Sequence, residues 1–374
     1  MQRVVALQGV EHEHDGRAGP PRRGTRVAEH RGRGPDLLTG VLPDVGAPVE
    51  HLRDGALGLA RGVDFTDPDT SGIAEAVTAA EQADLAVVTV GDLAGLFGTG
   101  TSGEGCDVVD LSLPGRQADL VEAVLATGTP VVLVLVTGRP YSIGAFDERC
   151  AAVVQAFMPG EEGGHALAGV LSGRVNPSGR LPVGIPRHVG GQPGTYLTPA
   201  LGGWAEGVSN LDPRPLYPFG HGIGYSAFSY DALELSAAEI GADGAVDVAV
   251  TVTNTSGRAG QEVVQLYLSD PVAQVVRPVK MLVGFSKIAM DPGQSARVVF
   301  HLHADRTAFT GRAMRRIVEP GDFVLRAGPS SEDLPLEDRF VVTGAVCDVE
   351  DVERVLTTPV DVEVVDRALA TGPS

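Results

Sequence analysis

Glu104 sits in the run Thr101-Ser102-Gly103-Glu104-Gly105-Cys106-Asp107, just after an apolar stretch of strand length. A carboxylate in a glycine-rich loop at a strand end suits general acid/base work, because glycine permits the turns that present it. At a glycosidic bond such chemistry uses two carboxylates, and the sequence offers no convincing second one. Asp92 closes the preceding strand, at the end where ligands of α/β sheets bind; it is a candidate substrate contact, with a cap or turn role as the alternative. Phe97, at the loop tip, offers a ring on which a sugar stacks, with packing inside the loop as the alternative.

Other charged positions have plainer readings. Asp107 suits a turn or a helix N-cap. Glu161 and Glu162 open a helix, where negative charge complements the dipole. His221, in Phe219-Gly220-His221-Gly222, reads as a linker residue held by hydrogen bonds, and Gly173-Arg174 and Gly179-Arg180 are too isolated to form a phosphate loop.

The elements that must position Glu104 are legible from periodicity. Leu85–Val90 and Val131–Val136 are continuous apolar runs of strand length, and Ala151–Phe157 reads as a third strand. Ile73–Gln82, Gln117–Ala126 and Gly164–Leu171 have helical spacing, the first with Asp69, Thr70 and Ser71 as capping candidates. Strands apolar on both faces, alternating with helices, predict an α/β domain with a mainly parallel sheet. After Tyr225 the pattern changes to period two. Val246–Thr253, Gln261–Leu268 and Ala296–Leu302 alternate, separated by turns such as Asp291-Pro292-Gly293, which predicts a β-sandwich.

The first stretch, 1–62, lacks either period. Glu11-His12-Glu13-His14-Asp15 is followed by Arg17, Arg22, Arg23, Arg26, Arg31 and Arg33 among Gly and Pro. A disordered arm, a nucleic-acid-binding tail and a damaged remnant of a larger coding region compete, and composition favours disorder. The His/Glu cluster has no scaffold to fix metal-ligand geometry. The Arg/Gly/Pro/His bias is also what a GC-rich gene read out of frame would give.

At 374 residues the chain has room for two cores, and its net charge of −19 argues against binding a phosphate backbone. Cys106, Cys150 and Cys347 cannot all pair within one chain and show no metal-ligand spacing. No signal-peptide core or membrane-length apolar run is present, so the expectation is a cytoplasmic protein with no membrane partner and no cofactor.

The motifs together carry a resemblance. Ser102-Gly103-Glu104-Gly105-Cys106-Asp107, Leu111-Ser112-Leu113-Pro114-Gly115 with Gln117, Pro159-Gly160-Glu161-Glu162-Gly163-Gly164, Asn176-Pro177-Ser178-Gly179-Arg180-Leu181-Pro182 and Pro218-Phe219-Gly220-His221-Gly222 follow in order. With Arg277-Pro278-Val279-Lys280, Leu282-Val283-Gly284-Phe285 and Asp291-Pro292-Gly293 behind them, the chain resembles the C-terminal half of family 3 glycoside hydrolases of the β-glucosidase and β-xylosidase type. The resemblance covers roughly 63–340. It implies a retaining mechanism with Glu104 as acid/base and an aspartate nucleophile on a (β/α)₈ barrel that precedes this region. Val108 stands where the family carries an arginine.

These readings give a segment at 1–62 that is atypical and poorly ordered or a remnant. An α/β sandwich follows at 63–217, then a linker at 218–225, a fibronectin type III-like domain at 226–345 and a tail at 346–374. The expected activity is hydrolysis of terminal β-linked sugars from small oligosaccharides or aryl glycosides. The chain alone is expected to be weakly active or inactive, because a barrel takes about 250 residues. The alternative is a non-catalytic carbohydrate-binding or accessory subunit that completes a separately encoded barrel.

Overall fold

The computed structural model describes residues 3–8, 56–190, 194–203, 207 and 209–365. The chain divides into two compact units, Met1–Val175 and Asn176–Ser374.

The first unit contains β1 (Arg3–Gln8), β2 (Ala56–Ala60), α1 (Ile73–Glu81), β3 (Leu85–Gly91), α2 (Gln117–Leu125), β4 (Val131–Val136), β5 (Ala152–Gln155) and α3 (Gly163–Leu171). Its five strands form one parallel sheet in the order β2-β1-β3-β4-β5. Ala86, Val88, Val131, Val132 and Leu133 have no exposed surface, as expected for strands with both faces covered. Toward the interior α1 buries Ala76 and Ala80, and α2 buries Leu120, Val121 and Val124.

Three details depart from the sequence reading. Two strands, β1 and β2, fall inside 1–62, where no period was legible; most of that stretch, including the His/Glu cluster and the arginine run, lies outside the described residues. The side chains expected to cap α1 do not: Gly72 is the N-cap. Asp69 instead closes a local turn by accepting from the Ser71 amide (2.9 Å) and hydroxyl (3.0 Å), while the Thr70 carbonyl accepts from the Ile73 amide at 3.0 Å. Finally, β5 stops at Gln155, because the backbone turns at Phe157 into a left-handed conformation (φ 55°).

The second unit is all β. Its strands are β6 (Phe228–Leu235), β7 (Glu239–Gly241), β8 (Ala245–Asn254), β9 (Gly260–Ser269), β10 (Met281–Met290), β11 (Ser295–His303), β12 (Phe309–Thr310), β13 (Arg316–Val318), β14 (Gly321–Gly328), β15 (Leu336–Thr343), β16 (Cys347–Asp348) and β17 (Val360–Val365). They form sheets ordered β10-β9-β14-β15-β7, β17-β11-β8-β6 and β12-β13-β16. The period-two positions Val246, Val248, Val250 and Val252 pack in one core with Leu266, Leu268, Phe323, Leu325 and Phe340. The architecture is the expected one: a parallel α/β sandwich, then an all-β sandwich.

The segment after Val175 is tied into this second unit. Asn176 donates to the Ser226 hydroxyl at 2.8 Å and to the Ala259 carbonyl at 2.9 Å, and accepts from the Tyr225 amide at 2.7 Å.

Candidate catalytic loop

The strand order reverses direction between β1 and β3, which makes the carboxyl end of β3 a topological switch point, the place where open α/β sheets bind ligands. The loop carrying Glu104 leaves from that end.

Its departure is fixed by side chain and by lack of one. Gln117 of α2 brackets Gly91, accepting from its amide at 2.6 Å and donating to its carbonyl at 2.8 Å. A Cβ on Gly91 would lie 1.8 Å from the Val136 carbonyl oxygen of β4, so only glycine lets the two strands run this close.

Asp92 comes next and is buried. One carboxylate oxygen accepts from the Thr101 hydroxyl at 2.7 Å and from the Tyr141 hydroxyl; the other accepts from the Gly138 amide at 2.8 Å. Burial, and then the Asp92 charge, push the Tyr141 phenol well above the ordinary tyrosine range, so it stays a donor. Asp92 thereby ties the start of the loop both to Thr101, nine residues on, and to the chain leaving β4.

Between these ties the loop folds back on itself. The Gly95 amide donates to the Ser102 carbonyl at 2.9 Å, the Phe97 amide to the Glu104 carbonyl at 2.7 Å, and the Thr101 amide to the Leu93 carbonyl at 2.8 Å. Gly103 adopts φ 134°, and a Cβ there would meet the Gly95 carbonyl oxygen at 1.9 Å. On the far side, Arg139 Nη2 donates to the Cys106 carbonyl at 2.7 Å. The glycines of the motif therefore serve close backbone packing, and the loop is a braced turn.

What the loop presents is Glu104. Its side chain is exposed, and its carboxylate has no hydrogen-bond or ion-pair partner among the described residues. Phe97, linked to it through the backbone, is 79% exposed and holds φ 52°. Leu96, Val108 and Val109 are exposed as well. The structure thus brings Glu104 and Phe97 together across the loop and turns the Asp92 carboxylate inward.

Sequence reasoning passed over Arg139, Tyr141 and the bracketing role of Gln117. A signal existed. Gly138-Arg139-Pro140 follows the carboxyl end of β4, and β4 pairs with β3 in a register that sets Val136 beside Gly91, so two adjacent strand ends supply one loop cluster. Among the described residues no group of His, Cys, Asp and Glu is arranged to hold a metal ion, and no helix is long and apolar enough to cross a membrane.

Comparison with known proteins matches residues 4–225 to the glycosyl hydrolase family 3 C-terminal domain and residues 262–331 to a fibronectin type III-like domain. A beta-xylosidase of Formosa agariphila is 39% identical over 298 residues, covering 79% of this chain and 40% of that protein. A periplasmic beta-glucosidase of Salmonella typhimurium is 39% identical over 268 residues, covering 69% of this chain and 34% of that protein. Among solved structures, a β-glucosidase of Erythrobacter marinus superposes with TM-score 0.69 at 38% identity, over 78% of this chain and 42% of its own. A Listeria innocua beta-glucosidase in complex with isofagomine superposes with TM-score 0.70 at 30% identity, over 78% and 41%. The chain therefore spans well under half the length of these relatives.

Proposed function

The chain belongs to glycosyl hydrolase family 3, and on that premise we propose that Glu104 is the general acid/base of a retaining hydrolysis of terminal β-linked glucose or xylose. The observation that carries the reading is the exposed carboxylate of Glu104, without a partner among the described residues, on a loop braced by Asp92 on one side and Arg139 on the other. In the first step Glu104 protonates the leaving glycosidic oxygen while an aspartate attacks the anomeric carbon. In the second it takes a proton from the water that releases the sugar. The attacking aspartate is that of the family's barrel domain. Phe97 supplies a face for the sugar ring, and Asp92 serves through the loop it anchors.

The test is hydrolysis of nitrophenyl β-glucoside and β-xyloside by the chain alone and with the barrel polypeptide of a relative. Turnover is expected only in the mixture, and Glu104→Gln should lower it by at least about 100-fold. Equal turnover by Glu104→Gln would refute the assignment.

A second reading, a non-catalytic carbohydrate-binding or accessory subunit that completes a separately encoded barrel, is favoured by exposed apolar groups on and after the loop. Leu96 is 54% exposed, Phe97 79%, and Val109 fully so. Exposed apolar neighbours such as Leu96 and Phe97 are of the kind that another polypeptide covers.

A further inference from the structure

The second unit contains a cavity of about 460 Å³, built from residues 176–335 and sharing none with the Glu104 loop. Its size falls in the range of small-ligand sites, about 300–1,000 Å³. Its wall holds an ion pair: Arg180 Nη2 lies 2.7 Å from Glu262 Oε2, with the side chains 11% and 3% exposed. The second oxygen of Glu262 accepts from the Tyr230 hydroxyl at 3.1 Å, and Arg180 Nη1 donates to the Gly222 carbonyl. The Nε–H of Arg180 is buried without a partner among the described residues, and an unmet buried donor costs about 1–3 kcal/mol.

Three further wall features bear on what the cavity would hold. Asp333 is solvent-exposed, and its carboxylate has no partner among the described residues. Burial first, then the charge and hydrogen bond of Glu262, and least the charge of Asp333 push the Tyr230 phenol far up, so the hydroxyl stays protonated as a donor. Phe228 adds an aromatic ring.

The charges select the ligand class. One guanidinium against two carboxylates leaves the wall net negative, which disfavours anions, and a cation would compete with Arg180 for Glu262. A neutral polyol suits the groups open to the cavity. A hydroxyl donates to the Asp333 carboxylate, and the C–H face of a ring lies on Phe228. We propose that this cavity is a carbohydrate-binding site that takes a neutral pyranose. It stands independently of the role assigned to Glu104.

The experiment is an NMR titration of the full chain with D-glucose and D-xylose, following the backbone amides of Gly222, Gly224 and Ser330, with D-glucuronate as the anionic control. Saturable shifts at these amides are expected with both neutral sugars, in the millimolar range, and at least about tenfold weaker binding of glucuronate. Because Asp333 is exposed, Asp333→Ala should fold normally and bind glucose about tenfold more weakly, the loss expected for one charge-assisted hydrogen bond. Glu104→Gln should leave these shifts unchanged, which separates this site from the proposed catalytic one. Absence of saturable shifts at these amides, glucuronate binding as tight as glucose, or wild-type affinity in Asp333→Ala would each overturn the proposal.

Discussion

Phe97 and Glu104 are joined across the loop by the Phe97 amide, which donates to the Glu104 carbonyl at 2.7 Å while Phe97 itself holds φ 52°. The left-handed backbone costs a non-glycine residue about 1–2 kcal/mol, and the exposed ring recovers little of it by packing. Phe97→Gly is therefore expected to be more stable than Phe97→Ala by about 1 kcal/mol, since both lose the ring and only glycine relieves the backbone. Urea unfolding of the two variants checks the order, and an alanine variant as stable as the glycine one would contradict it.

Gly103 leaves no room for a methyl group, because the Cβ would lie 1.9 Å from the Gly95 carbonyl oxygen at φ 134°. Gly103→Ala should open the loop while the sheet remains folded. Amide exchange across 93–106 should rise by at least about 30-fold, equivalent to roughly 2 kcal/mol of lost local stability. Exchange in β4 should be unaffected.

Tyr141 donates to buried Asp92. Tyr141→Phe removes a donor from a buried carboxylate and should destabilise the first unit by about 1.5–3 kcal/mol, measured by denaturant titration. Asp92→Ala strands three donors instead of removing one, so its cost should be larger. If the two variants are equally stable, the network has a different organisation.

His301 on β11 holds two strands, with Nδ1 2.7 Å from Asp247 on β8 and Nε2 3.0 Å from Asp361 on β17. The hydrogen bond to Asp247 first, and then that to Asp361, raise the imidazole above its ordinary value. The protonated form is thus favoured by folding. The stabilisation is complete below the unfolded histidine pKa, about 6.5, and is lost as pH rises through the higher folded value. The site is over a third exposed, so the effect is small and weakens with salt. Thermal unfolding should fall modestly from about pH 6 to about pH 9, and Asp361→Asn should flatten that slope. A slope unchanged in Asp361→Asn would remove His301 as its source.

Strand and helix positions were legible wherever burial imposes a period: β3, β4, α2 and the long strands of the second unit need apolar side chains at fixed spacing, whatever surrounds them. The loop that carries Glu104 was legible for a different reason, namely the glycines that must flank a turn this tightly packed. Arg139 and Tyr141 were not, because their role is set by strand order, which brings the end of β4 beside the end of β3 and leaves no mark in local sequence. The capping of α1 was misread because Asp69 has a nearer donor in Ser71 than any amide of the helix. The strands β1 and β2 escaped notice because the chain between them carries no period that would announce a sheet.

The place of β1 in the sheet order has a consequence for how the first unit can be assembled. β1 lies between β2 and β3 and pairs with both, at Arg3–Leu7 and Val4–Gln8 respectively. The first of this sheet's strands in chain order is therefore an inner one, and its two neighbours begin only at residues 56 and 85. Until they pair with it, both of its edges are open to foreign strands. A fragment begun at Val63 to discard the irregular leading stretch would lose β1 and β2 together, leaving β3 with an unpaired edge at the strand that feeds the Glu104 loop.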